Sequence, residues 1–111
     1  MNKQHGILIR ADAQIVNDVY AEVWNGQEIR KRLFLHNEEF VYRDIQSDSI
    51  VVEASSNVET NGRRTRKDGF VLFGKRFYGN GLIIADEERD TPRITPQEIA
   101  HVIRFFQASE E

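Results

Sequence analysis

The sequence predicts an α+β fold, an antiparallel-rich sheet of about five to six strands with two helices, about 12–25 and 95–107, packed on it. Three observations predict this. Short runs of β-branched and aromatic residues recur between turn signals. One stretch near the C-terminus carries a complete helix-start signature. An earlier stretch spaces its apolar residues at a helical interval. With 111 residues, the chain suits one domain, 1–111, large enough to bury a core without covalent staples.

The elements follow in chain order. "GILIR" (6–10) reads as a short strand. In "DAQIVNDVYAEVWNG" (12–26) the apolar positions Ile15, Val16, Val19, Tyr20, Val23 and Trp24 form the stripe of one helix face, with Asp12 as N-cap and Asn25-Gly26 as the stop. The competing reading is a strand that ends in an Asn-Gly hairpin; valine content favours it, and Asn17-Asp18 in mid-run opposes it. "EIRKRLFLH" (28–36), "FVYRDI" (40–45) and "SIVVEASS" (49–56) read as strands. "GFVLF" (69–73) and "RFYGNGLIIA" (76–85) flank Gly74-Lys75, a two-residue turn of type II′ that sets Leu72 opposite Phe77 and Val71 opposite Tyr78. In "ITPQEIAHVIRFF" (94–106), Thr95 is the N-cap, Pro96 takes the first helical position and Glu98 closes a capping box. Ile99, Val102, Ile103 and Phe106 then share one face.

Absences narrow the function classes. The chain has no cysteine, which removes disulfides, thiolate metal sites and thiol nucleophiles, and fits a reducing cytoplasm. No apolar run has the length of a membrane span and no signal peptide opens the chain, so no membrane partner is expected and the expected setting is the cytosol.

Charge is segmented. Residues 1–62 carry 6 basic and 10 acidic side chains, residues 63–76 carry 6 and 1, and residues 77–111 carry 3 and 7. A compact positive segment on an acidic body attracts polyanions locally and repels them elsewhere. Its centre is "NGRRTRKDGF" (61–70), where Arg63, Arg64, Arg66 and Lys67 stand between two turn signals. Arginine outnumbers lysine there, and its planar fork suits phosphate and carboxylate. A solvated loop carries the same composition; loops of that length in small domains are often functional.

The order of several features resembles a family of small uncharacterised domains from phages, plasmids and bacterial genomes. These features are Asn25-Gly26 at a helix end, Asn37-Glu38-Glu39 after a strand, and Asn61 followed by Arg63 and Arg64. "YGNGLII" (78–84) then precedes a Thr-Pro-Gln-Glu helix start. Phe40 stands where that family commonly has Gly, and 45–60 resembles an insertion. The resemblance implies an α+β fold and a mobile-element setting. It implies no activity, so no residue role is carried over.

Other clusters favour bland readings. "HNEE" (36–39) sets His36 beside Glu38 and Glu39, but consecutive residues in a strand or turn point different ways and do not converge on a metal. His5 lies near the terminus and His101 reads as a surface histidine. "YGNG" (78–81) lacks the strand–loop–helix context of a phosphate loop and reads as a bend in a long strand, with Tyr78 and Asn80 kept as secondary binding candidates. "DEERD" (86–90) is a solvated loop, and Trp24 belongs to the core.

The expectation is therefore a small non-enzymatic binding protein without catalytic residues, metal or cofactor. It contacts nucleic acid or an acidic host-protein surface through the loop at 61–69, with Arg63, Arg64, Arg66 and Lys67 as contacts. Two alternatives are self-assembly into a homo-oligomer through a sheet edge or helix face, and small-ligand binding near Tyr78–Gly81.

Overall fold

A computed structural model of the protein describes residues 3–59, 68–86 and 90–107. The fold is α+β. Five antiparallel strands form the main sheet in the order β2-β1-β7-β4-β3: β1 (Gln4–Arg10), β2 (Ile15–Ala21), β3 (Phe40–Ile45), β4 (Ser49–Ala54) and β7 (Gly81–Ala85). A smaller sheet holds β5 (Gly69–Leu72), β6 (Lys75–Tyr78) and β8 (Arg104–Phe106) in the order β6-β5-β8. Three short helices complete it: α1 (Gly26–Arg32), α2 (Ser55–Glu59) and α3 (Pro96–Val102).

The three central strands of the main sheet are apolar on both faces because both faces are covered. Pairing aligns Ile7 with Ile83 and Ile83 with Val51, so these three form one row; Leu8, Leu82 and Val52 form the row on the opposite face. The first row meets Phe70, Leu72 and Phe77 of the small sheet, with Ile94 and Ile99 from the α3 region. The second row meets Ile29 and Leu33, four residues apart on α1. The layers are thus α1, the main sheet, then the small sheet with α3. Each row ends in a polar or amphipathic residue on an edge strand: Asp18 and Arg43 on one face, Asn17 and Tyr42 on the other. Burial on both faces explains runs such as "ILI", which an alternating strand would not show.

Several expectations are corrected. The stretch read as a helix over 12–25 is the edge strand β2, paired along its whole length with β1. Its valines favour strand, and because the strand is mostly exposed, with only Ala21 buried, no two-residue alternation marks it. Asn25-Gly26 starts a helix rather than ending one. The Asn25 side chain accepts from Glu28 N at 2.9 Å. The stretch 28–36, expected as a strand, is largely that helix. Glu28 in its first turn and Arg30, Lys31 and Arg32 in its last complement the helix dipole, and Arg32 bonds Glu28 at 2.8 Å.

The hairpin turn is Phe73-Gly74, one residue earlier than expected. Both residues have positive φ, 51° and 76°, as a type I′ turn requires. Leu72 therefore pairs with Lys75 and Val71 with Arg76, while Phe70 stacks on Phe77 at 4.9 Å. Partners move by two positions, so inward residues stay inward.

The expected strand over 76–85 breaks at Gly79-Asn80, and its halves join different sheets. The C-terminal helix also ends early. The Thr95–Glu98 capping box is present, but Ile103 is extended (φ −73°, ψ 144°) and Arg104–Phe106 pairs with β5. Ile99 is buried and Val102 is exposed, so the expected four-residue stripe does not form. The free edge of β5 outcompeted one further helical turn for two adjacent phenylalanines, a residue type that favours strands.

Candidate functional site

Five connections gather at one end of the main sheet. They are the β1–β2 turn, the α1–β3 connection, the β4–α2 junction, the residue before β5, and the bend between β6 and β7. Between them lies an open cleft of about 610 Å³. The Arg10–Asp12 segment forms one wall. Phe34 and Glu38 stand on another, and Asn57, Asp68 and Asn80 on the third.

The walls are tied by hydrogen bonds between segments far apart in sequence. Asn80 accepts from Ala11 N through its side-chain oxygen at 2.9 Å. Asn57 donates its amide to the Tyr78 carbonyl, and Gly79 N donates to the Asp68 carbonyl, both at 2.6 Å. Gly79 has φ 78°, and a Cβ there would lie 2.7 Å from the Asn57 amide nitrogen, so glycine is required on both counts. Arg30 donates to the Glu38 carbonyl at 3.0 Å and lies over the Phe40 ring, which holds the Glu38 segment.

Arg10 is the only arginine or lysine lining the described cleft. Its guanidinium donates to Asp12 at 3.0 Å and lies 5.1 Å from the centre of the Phe34 ring; its Nε is buried without a described partner. The hydrogen bond from Arg10 is the main cause that holds the Asp12 carboxyl below its ordinary value. Phe34 is 60% exposed.

The sequence-derived candidates are distributed as follows. Arg63, Arg64, Arg66 and Lys67 lie outside the described residues. Asn57 and Asp68, which flank them, both line the cleft. Asn80 lines it as well. Tyr78 is buried beside it, packed on Phe106 and accepting from Arg76 Nε at 3.1 Å. Arg10 and Phe34 were missed. A correct placement of the helix at 26–32 would have put Phe34 just past its end, in the slot where glycine is expected.

A second constellation was also missed. His5 bonds Asp18 through Nε2 and Thr91 Oγ1 through Nδ1 at 3.1 Å, and stacks on Tyr20 at 5.0 Å. The order hydroxyl–imidazole–carboxylate is that of an acyl-transfer relay. Thr91 is exposed, however, and none of the three lines the cleft. What the contacts accomplish is mechanical: with His5 N donating to the Asp90 carbonyl at 2.8 Å, they clamp the 90–91 segment to β1 and β2.

An ion pair within the main sheet, with a buried carboxylate, extends through its arginine to the small sheet. Glu53 on β4 accepts from Arg43 at 2.9 Å, and Arg43 lies over Phe77 (4.4 Å) and donates to the Arg76 carbonyl. Burial pushes the Glu53 carboxyl above its ordinary value, and Arg43 offsets this only in part.

Among the described residues, no three His, Asp or Glu side chains are grouped to hold a metal ion, and no helix is long and apolar enough to cross a membrane. Fold and cleft define an α+β protein of two antiparallel sheets with an open cleft of mixed polarity at the loop end, Phe34 on one of its walls. No protein-family model, curated protein or solved structure matches the chain.

Proposed function

We propose that the protein is a non-enzymatic binding module for nucleic acid, with Arg63, Arg64, Arg66 and Lys67 engaging phosphates beside the cleft. The observation that carries this reading is that both flanks of the basic segment, Asn57 and Asp68, line the cleft. Arg63 precedes Asp68 by five positions and Lys67 by one, so chain connectivity alone limits the Cα atoms of all four residues to within about 18 Å of that of Asp68. The acidic remainder of the chain repels a polyanion everywhere else, which directs it to this face. Binding is favoured over catalysis because the Thr91–His5–Asp18 array stands outside the cleft. The resemblance to phage and plasmid domains supplies a setting, a mobile genetic element, and no activity.

The test replaces Arg63, Arg64, Arg66 and Lys67 together by Ser and titrates parent and variant with duplex DNA, single-stranded DNA and RNA at two salt concentrations. The variant should keep its stability, since none of the four residues belongs to an apolar stripe and substitutions outside the core each change it by about 0.5 kcal/mol or less. Its affinity should fall. The slope of log affinity against log salt should flatten by about 0.9 for each duplex phosphate that is no longer neutralised, or about 0.7 for single strands. A parent that binds none of the three rules out nucleic acid. Capture of acidic proteins by the parent and not by the variant would then transfer the segment's role to a protein surface.

A second reading rests on β2. It is a seven-residue edge strand without proline, and Ile15 and Tyr20 are exposed on it. Such edges pair with other strands, here a second copy of the chain. Assembly of that kind would persist as salt rises, whereas phosphate binding would not.

A further inference from the structure

We infer that the cleft is a subsite for one unpaired nucleobase, stacked at Phe34 and hydrogen-bonded by the groups around it, so that the partner is single-stranded. This rests on the proposed nucleic-acid reading and narrows it.

The first observation is a backbone that contradicts its residue. α1 ends in a Schellman motif: Phe34 N donates to the Lys31 carbonyl at 3.3 Å, and Leu35 N to the Arg30 carbonyl at 2.8 Å. The residue between, Phe34, has φ 61°. Glycine normally fills that slot, because a Cβ is strained there. A phenylalanine in a left-handed backbone is a true outlier. Core packing does not offset the strain, because the ring is 60% exposed. Strain retained without burial marks a residue kept for contact with something else.

The second observation is what surrounds the ring. Arg10 lies over it and is oriented by its bond to Asp12, a cation–π pair whose two planar groups are both of the kind on which bases stack. Asn80 is held by its oxygen, which leaves its amide N–H groups as donors. Among the described residues, two carboxylates, Asp12 and Glu38, line the cleft with one arginine. That arrangement disfavours a phosphate beside them. It suits the exocyclic amino groups of cytosine and adenine, which donate to carboxylates. The volume, about 610 Å³, falls in the range of small-ligand pockets. A base in a duplex is stacked and paired on its hydrogen-bonding edge, so only an unpaired one can enter.

The experiment measures fluorescence anisotropy of labelled oligo-dC, oligo-dT and a duplex of equal length with the full chain, the Phe34→Gly and Phe34→Tyr variants, and the four-fold Ser variant. Phe34→Gly suits the backbone, so its melting temperature should equal or exceed the parent's. Its affinity for oligo-dC should fall about 5- to 150-fold, the range one base–aromatic stack supplies. Duplex affinity should stay unchanged, Phe34→Tyr should retain oligo-dC binding, and the parent should prefer oligo-dC to oligo-dT. The four-fold Ser variant should lose affinity for all three probes. The inference is overturned if Phe34→Gly binds oligo-dC as the parent does, or if it melts well below the parent, which would make the ring a structural anchor. It is also overturned if the parent binds duplex in preference to single strands; a matching loss in the Ser variant would then leave the phosphate role of the basic segment standing. A parent that binds no probe overturns both.

Discussion

Replacing Arg43 by Met tests a charge pair within the main sheet whose acidic member is costly to leave alone and whose basic member reaches the small sheet. Glu53 is 1% exposed. One of its oxygens accepts from Arg43 at 2.9 Å and the other has no described partner. Met keeps an unbranched side chain of similar reach and removes the charge, the guanidinium over Phe77 and the donor to the Arg76 carbonyl. Breaking a buried pair from one side typically costs about 3–5 kcal/mol, because the remaining charge has nowhere to go. Against a total of about 5–15 kcal/mol for a domain, that is a large fraction.

The cost should depend on pH in a defined direction. Burial raises the folded carboxyl value above the ordinary 4.5, so the folded state binds the proton more tightly than the unfolded one. In the parent, the contribution of Glu53 to stability is therefore highest at low pH and declines as pH rises from 4.5 through the folded value. Removing Arg43 raises the folded value further, so the variant's deficit should be full near neutrality and shrink in acid. Urea melts at about pH 7 and about pH 4 measure this, and pairing Arg43→Met with Glu53→Leu should restore much of the loss. A deficit below about 1 kcal/mol at neutral pH, or one unchanged in acid, would refute the argument.

Three further outcomes are expected. Gly69→Ala should destabilise by about 1–3 kcal/mol in thermal melts, because a Cβ there would strike the Phe77 carbonyl oxygen and the Phe106 ring; an unchanged melting temperature would mean that neither β6 nor β8 sits against β5 as described. Ile29→Ala, at a fully buried position between α1 and the main sheet, should cost about 2–5 kcal/mol in chemical denaturation, and a loss under 1 kcal/mol would place that face of α1 toward solvent. Trp24 is the sole tryptophan, partly buried against the α1-side core with Arg32 over its ring (5.5 Å), so native emission should be blue-shifted and move red on unfolding. Emission like that of free tryptophan would put the indole in water.

Local chemistry determined a good part of this protein. The Thr95–Glu98 capping box, the strands over 40–45 and 49–54, the α+β class and a two-residue hairpin turn all follow from interactions between residues close in sequence, and such interactions are visible without the fold. Where two local readings were nearly balanced, distant partners decided. Residues 15–21 became a strand because β1 offered an edge, and 104–106 left the helix because β5 did. The hairpin took the register that stacks Phe70 on Phe77 in the core, although Gly74-Lys75 was the stronger turn signal. The cleft could not be read from the chain at all. Arg10, Phe34 and Asn80 belong to separate connections, and only the antiparallel order β1-β7-β4-β3 brings those connections to one end of the sheet. The basic segment was legible because charge is a property of composition; that Asn57 and Asp68, on either side of it in sequence, both line the cleft is set by long-range pairing alone.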